Sequence, residues 1–363
     1  MKLLYITQRA NEEGGVQRVL SIKTNYLIEK FNYEVCIITQ NRGDENLFFE
    51  FNKQIKFYDI SLEKNKIFNL LLYKRELEEY INTIKPDCII VCDFALKSFS
   101  IPMLVKTNIP IIFEAHGSRF NEYRESLFLG FYSKFKYQFR NYCASKFSIF
   151  VALSNESLDE WSVKNGFVIS NPLWMETKSI SDLESKKIIA VARHSYEKGI
   201  DRLLQIWKLI VEKHPDWLLE IYGKQNDDLQ LLNLVKKLKI EKSITFLNPV
   251  KDIHHKYKTA SILVMTSRNE AQPMVLIEGM ACGLPSVAYD CPVGPRTIIQ
   301  DNKNGFLIED GDKDSFVAKL TLLIEDRNLR MKMGEEAKKS VQKYNMELIM
   351  QQWKSLFESI IKY

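Results

Sequence analysis

Short apolar runs alternate with amphipathic stretches of helical period along almost the whole chain, and the series runs twice. This alternation constrains the fold more than any single motif does. Apolar runs this short, rich in Ile, Val and Phe, read as strands buried on both faces, and the stretches between them are long enough for crossover helices. An α/β chain with parallel sheets is therefore expected. In the first series strands are expected over 3–7, 34–39, 88–92, 109–113 and 147–152, with helices over 16–31, 67–84, 121–145 and 156–164. The second series places strands over 187–192, 217–222, 243–246, 262–265, 286–288 and 305–308, with helices over 199–213, 227–238, 274–281 and 313–325. Two further helices fit 327–363.

Between the series lies Ser170-Asn171-Pro172-Leu173, followed by a polar stretch, 176–187, without periodicity. By composition that stretch is the best boundary. Domains are expected at 1–172 and 173–345, with a last helix over 346–363. A chain of 363 residues with 45% hydrophobic content has ample core for both. Doubly wound sheets bind ligands outside the carboxyl ends of their strands, so the two halves are expected to face a central cleft.

The net charge of +5 is too mild to suggest a nucleic-acid protein. Six cysteines, Cys36, Cys88, Cys92, Cys143, Cys282 and Cys291, fall mostly in apolar segments and read as reduced thiols of a reducing compartment. The apolar run at the N-terminus is too short for a signal peptide and reads as a first strand. No apolar run reaches the roughly 18 residues of a membrane span, so any membrane contact is expected to be peripheral.

The chemistry concentrates in Glu270-Ala-Gln-Pro273-Met274-Val275-Leu-Ile-Glu278. Pro273 suits the start of a helix, and nothing breaks that helix before Gly283. One carboxylate then sits just outside the helix N-terminus and the other about one turn inside it. The unpaired first-turn amides of Met274 and Val275 form an anion site between them. An anion flanked by two hydroxyl-binding carboxylates points to a sugar nucleotide. Upstream, Arg193 and Lys198 follow a strand in Ala192-Arg-His-Ser-Tyr-Glu-Lys-Gly199. An Arg fork and a mobile Lys charge suit a departing diphosphate. An ordinary surface pair at a helix start is the plainer alternative.

Taken together, these segments resemble the Glu-x7-Glu and Arg/Lys signatures of the retaining glycosyltransferases of family 4, which share the GT-B fold. Gly14-Gly15-Val16 resembles that family's N-terminal glycine loop, Glu114-Ala-His116-Gly its active-site histidine, Asn171-Pro172 its hinge, and Asn304-Gly-Phe-Leu307 the strand after the donor site. The resemblance implies two Rossmann-like domains, an N-terminal one for the acceptor and a C-terminal one for the nucleotide sugar. It also implies a last helix that packs back on the N-terminal domain. By it, Glu270, Arg193, Lys198 and His116 are catalytic, and Gly14, Gly15, Arg193, Lys198, Met274, Val275 and Glu278 bind the donor. Glu278 would hold the ribose hydroxyls, and His116 would position the sugar rather than act as a general base. Ala271-Gln272 depart from the family's usual glycine and aromatic residue.

The implied activity is retaining, metal-independent transfer of a hexosyl or N-acetylhexosaminyl group to a glycan acceptor, with no cofactor. The stretch Asp290-Cys-Pro-Val-Gly-Pro295 resembles members that build bacterial surface polysaccharides from UDP-sugars, with GDP-mannose the second choice of donor. A cytoplasmic enzyme on the inner face of the plasma membrane, acting on a polyprenyl-diphosphate-linked glycan, would fit. Two alternatives stay open: a sugar-nucleotide 2-epimerase and a non-catalytic donor-binding subunit. Asp310-Gly-Asp312-Lys-Asp314 lacks the pattern of a calcium loop and reads as a turn with a helix cap. In 119–146, Phe128, Phe131, Phe135, Phe139 and Tyr142 recur at helical spacing among Lys134, Lys136, Arg140 and Lys146. That helix suits either an anionic membrane surface or core packing.

Overall fold

The computed structural model describes residues 1–41, 46–61, 69–118, 127–175, 180–225 and 230–361, with side chains undescribed over 127–134. The chain divides into two units, Met1–Pro172 with Met346–Tyr363, and Leu173–Asn345. The change of unit at Pro172 precedes the polar 176–187 stretch, whose described part includes the buried Ser181 and Leu183 of the second unit.

Unit 1 is built on strands β1 (Lys2–Ile6), β2 (Glu34–Thr39), β3 (Lys56–Asp59), β4 (Cys88–Val91), β5 (Ile111–Glu114), β6 (Ile149–Ala152) and β7 (Gly166–Val168). They form one seven-stranded parallel sheet in the order β3-β2-β1-β4-β5-β6-β7. Its helices are α1 (Gly15–Phe31), α2 (Asn69–Ile84), α3 (Leu96–Phe99), α4 (Ile101–Leu104), α5 (Leu127–Ala144) and α6 (Asn155–Asp159). Strand β4 is buried at every residue, as a central parallel strand covered on both faces should be. The edge strands β3 and β7 escape a hydrophobicity reading, because each is short and largely exposed. Helix α6 is shorter than its pattern suggests. Ser154 caps it by accepting from the Ser157 amide at 3.1 Å, and the chain then turns to bury Trp161 against Phe99 and Phe150.

Unit 2 contains β8 (Lys187–Val191), β9 (Leu218–Tyr222), β10 (Ile244–Leu247), β11 (Ile262–Met265), β12 (Ser286–Asp290) and β13 (Gly305–Glu309). They also pair in parallel, in the order β10-β9-β8-β11-β12-β13. Helices α7 (Ile200–Lys213), α8 (Leu231–Leu238), α9 (Ile253–Lys258), α10 (Met274–Ala281), α11 (Lys313–Glu325) and α12 (Arg327–Ser340) connect them. Trp207 of α7 is fully buried in the core on one side of the sheet, and its indole donates to Ser243 Oγ at 3.0 Å. Full burial of each Leu or Ile packed around it contributes roughly 1.5–3 kcal/mol.

The chain returns to unit 1 with α13 (Met346–Ile361). Ile349, Met350, Trp353, Leu356 and Phe357 recur at helical spacing and enter one apolar cluster with Leu20 and Leu27 of α1. Each sheet has one switch point where strand order reverses, between β1 and β4 in unit 1 and between β8 and β11 in unit 2. In folds of this kind, sites form at the carboxyl ends of those strands.

Candidate active site

In unit 2 the two loops that leave the switch point carry the predicted donor residues. Arg193 and Lys198 follow β8, and Glu270 follows β11. Lys198 Nζ lies 2.7 Å from Glu270 Oε1, an oxygen that also accepts from Ser267 Oγ at 2.7 Å. The pair is neither sealed nor fully wet, with side chains 21% and 10% exposed, so a ligand can reach it. Arg193 is open, 3.5 Å from Glu197 in the same loop. Burial disfavours the Glu197 charge, but hydrogen bonds from Ser195 and the backbone, with the charges of Arg193 and Lys198, hold its carboxyl below the usual range.

A set of bonds not foreseen from sequence ties the two loops together. The Arg268 amide donates to Glu197 O at 2.7 Å, and its guanidinium grips both Asp201 oxygens at 2.9 and 2.6 Å and Tyr196 O at 2.6 Å. Burial works against the Asp201 charge, yet the Arg268 fork pulls its carboxyl down. Thr266 Oγ1 donates to Gly199 O at 2.9 Å, and Gly199 sits at φ 63°, where a Cβ would collide with the Thr266 carbonyl. Only glycine fits both the backbone angle and the close approach. Sequence offered one faint signal for Arg268, its place two residues before Glu270.

Glu278 is a buried member of α10, not a solvated helix glutamate. Trp174 Nε1 donates to its Oε1 at 2.7 Å and the Tyr257 hydroxyl to its Oε2 at 3.0 Å. The carboxylate is thereby fixed in direction. Sequence could not reveal these partners, because Trp174 lies 104 residues away. Helix α10 starts after Pro273, so the amides of Met274 and Val275 belong to the first turn, outside the helix's own ladder. Glu270 is held by a bridge to Val293 and by the Gly294 amide donating to its carbonyl at 3.1 Å. Asp310 pairs with Arg202 at 2.5 Å, and Asp312 caps α11 by accepting from the Ser315 amide at 3.0 Å.

In unit 1, Gly14 and Gly15 follow β1 and start α1. Glycine is not demanded there by backbone strain: Gly14 is extended at φ −99°, and a Cβ on Gly15 would meet open space. What the two residues provide is a loop without side chains. His116 lies two residues beyond β5, with Nε2 3.3 Å from the buried Glu114 Oε1. Arg140 corrects the expectation for 119–146. It is not part of a basic rim but is buried, packed over Phe94 and Phe99, and donates to Phe94 O at 3.0 Å. On the same helix Phe135 and Tyr142 are exposed. Phe128, Phe131 and Lys134 lie outside the described side chains.

Two parallel Rossmann-like sheets, one of them with basic and acidic side chains on adjoining switch-point loops, define a GT-B protein. The sequence profile of the family described as "Glycosyl transferases group 1" matches residues 175–340. An uncharacterized glycosyltransferase of Haemophilus influenzae is 31% identical, over 98% of this chain and 99% of its own. The amylovoran biosynthesis glycosyltransferase AmsD of Erwinia amylovora is 27% identical, over 98% and 99%. A crystal structure of a Staphylococcus aureus TarM variant with fondaparinux, α-GlcNAc-glycerol and UDP superposes with a TM-score of 0.81 at 16% identity, over 98% and 99% of the two chains. This chain belongs to the group 1 glycosyl transferases and is a glycosyltransferase of the GT-B fold.

Proposed function

We propose that this enzyme moves a hexosyl or N-acetylhexosaminyl group, with retention and without a metal, from a UDP-sugar to a lipid-diphosphate-linked glycan. The setting is bacterial surface-polysaccharide assembly at the cytoplasmic face of the plasma membrane. The observation that carries the reading is the Lys198–Glu270 pair, with a 2.7 Å contact, beside the first turn of α10. As the anomeric C–O bond breaks, charge grows on the diphosphate, and Lys198, Arg193 and the Met274 and Val275 amides are the groups to receive it. Preorganised cations and amides replace a divalent ion in that role. Glu270 accepts from sugar hydroxyls and favours positive charge on the ring. Glu278, aimed by Trp174 and Tyr257, takes the ribose hydroxyls, and His116 positions the sugar. Gly14 and Gly15 leave room for the diphosphate. The departing diphosphate itself takes the acceptor proton on the face it leaves.

Two relatives support the donor and product class: the TarM complex contains UDP, and AmsD serves amylovoran biosynthesis. The test is a thermal-shift panel of UDP-, GDP-, ADP- and dTDP-sugars, followed by transfer to a polyprenyl-diphosphate glycan with and without EDTA. A UDP-sugar should shift the melting temperature most, transfer should survive EDTA, and the product anomer should keep the donor configuration. Activity lost in EDTA and restored by manganese or magnesium would refute metal independence; an inverted product would refute retention.

A further inference from the structure

Unit 1 contains a second, deeper ion pair for which the proposed reaction gives no role. Lys23 of α1 and Glu114 of β5 meet at 2.5 Å with side chains 1% and 2% exposed. The Lys23 ammonium also lies 3.7 Å from the ring centroid of Trp353. The fully buried Tyr5 and Cys92 lie close enough to feel the Glu114 charge, so the pair sits deep in the core of unit 1. Sinking both charges gives up their hydration, and apolar residues of like shape commonly serve stability as well or better. Packing alone therefore explains this pair poorly.

Its third member suggests what it does. Glu114 ends β5 and His116 follows two residues on, a spacing that puts both side chains on one side of an extended chain. His116 Nε2 lies 3.3 Å from the same Glu114 oxygen that Lys23 holds, and the imidazole is itself only 7% exposed. A neutral imidazole has one N–H and one lone pair, and the partner of one nitrogen decides which is which.

We propose that Glu114 is the positioning residue of His116: locked by Lys23, its carboxylate accepts the imidazole Nε2–H, so Nδ1 keeps its lone pair for a hydroxyl of the transferred sugar. This rests on the reading of His116 as a sugar-positioning group. Lys23 also ties the site to α1, the helix that begins at the glycine loop, and to Trp353 of α13.

The experiment uses the full chain with 15N-labelled histidine rings, the His116 signals being assigned from their loss in His116→Gln. The wild type should show Nε2 protonated and Nδ1 unprotonated. Because Glu114→Gln alone strands the Lys23 charge and endangers folding, the decisive variant is Lys23→Met with Glu114→Gln, which removes both charges together. It should fold, lose the single tautomer, and lower kcat about 10- to 100-fold. The donor KM should rise by a smaller factor than kcat falls, since the hydroxyl contact exists in the bound donor but its orientation matters most in the transition state. A wild-type Nδ1–H tautomer, a tautomer unchanged in the double variant, or an unchanged kcat would each overturn the proposal. The ring spectrum needs no substrate, so it judges the Glu114–His116 link even if no nucleotide sugar binds, an outcome that would bring down the functional reading alone.

Discussion

The two units share a strand order but place their Lys–Glu pairs in opposite surroundings. In unit 2, Lys198 and Glu270 stand on the segments that follow the central strands β8 and β11, and both are partly open. In unit 1, Lys23 is fixed on a helix and Glu114 on a strand, and both are sealed. Burial pushes the Glu114 carboxyl up, but the Lys23 charge and His116 outweigh it and bring it down to about 2. One pairing chemistry thus occurs in two settings, and on the roles proposed above the open pair would meet the charge of a ligand while the closed pair would fix the direction of a neighbour.

Removing one partner from each pair should expose that contrast. Lys23→Met leaves a buried carboxylate uncompensated and is expected to cost about 3–5 kcal/mol of stability, read from denaturant midpoints. Lys198→Ala should stay within about 1 kcal/mol of wild type. Equal losses from the two would erase the distinction. Turnover should reverse the ranking in unit 2: Lys198→Ala and Glu270→Ala are each expected to lower kcat about 10²- to 10³-fold in folded protein. Wild-type turnover by either variant would remove that site.

Acid sharpens the same contrast. The Glu114 carboxyl lies below the ordinary 4.5, at about 2, so its stabilisation is present above that ordinary value and is lost as pH falls through the folded value. The linkage therefore favours the folded state over that pH range. Stability measured from pH 5 to pH 2 should fall less steeply in the Lys23→Met, Glu114→Gln double variant than in wild type. Glu278→Ala should raise the donor KM about 10-fold with a smaller fall in kcat, since ribose binding is shared by ground and transition states. The smallest effect concerns Phe135, Tyr142, Lys136 and Lys146 on and just after α5. Each lysine near an anionic bilayer contributes about 1 kcal/mol, so Lys136→Gln with Lys146→Gln should float less with anionic vesicles than wild type. Equal flotation would leave this face without a membrane role.

Most central strands were legible to within a residue or two, because a strand buried on both faces is a continuous apolar run. Strands β2 and β11 and helices α10 and α11 match their sequence bounds. The short edges β3 and β7 were not legible, since neither has a continuous buried run. Arg140 misled for a related reason. Its place in a run of lysines and aromatics suggests a wet basic face, whereas the helix turns it onto Phe94 and Phe99.

By itself the sequence determined the two parallel sheets and the loops on which Arg193, Lys198, Glu270 and His116 sit. Periodicity and strand ends are local properties, written within a few residues of each position. Only the tertiary structure decided what those side chains meet. Arg268 grips Asp201, Trp174 and Tyr257 hold Glu278, and Lys23 reaches Glu114 from 91 residues away. Such pairings depend on how strands order themselves around a switch point and on how much water each pair then gives up. Neither quantity has a local signature in a chain.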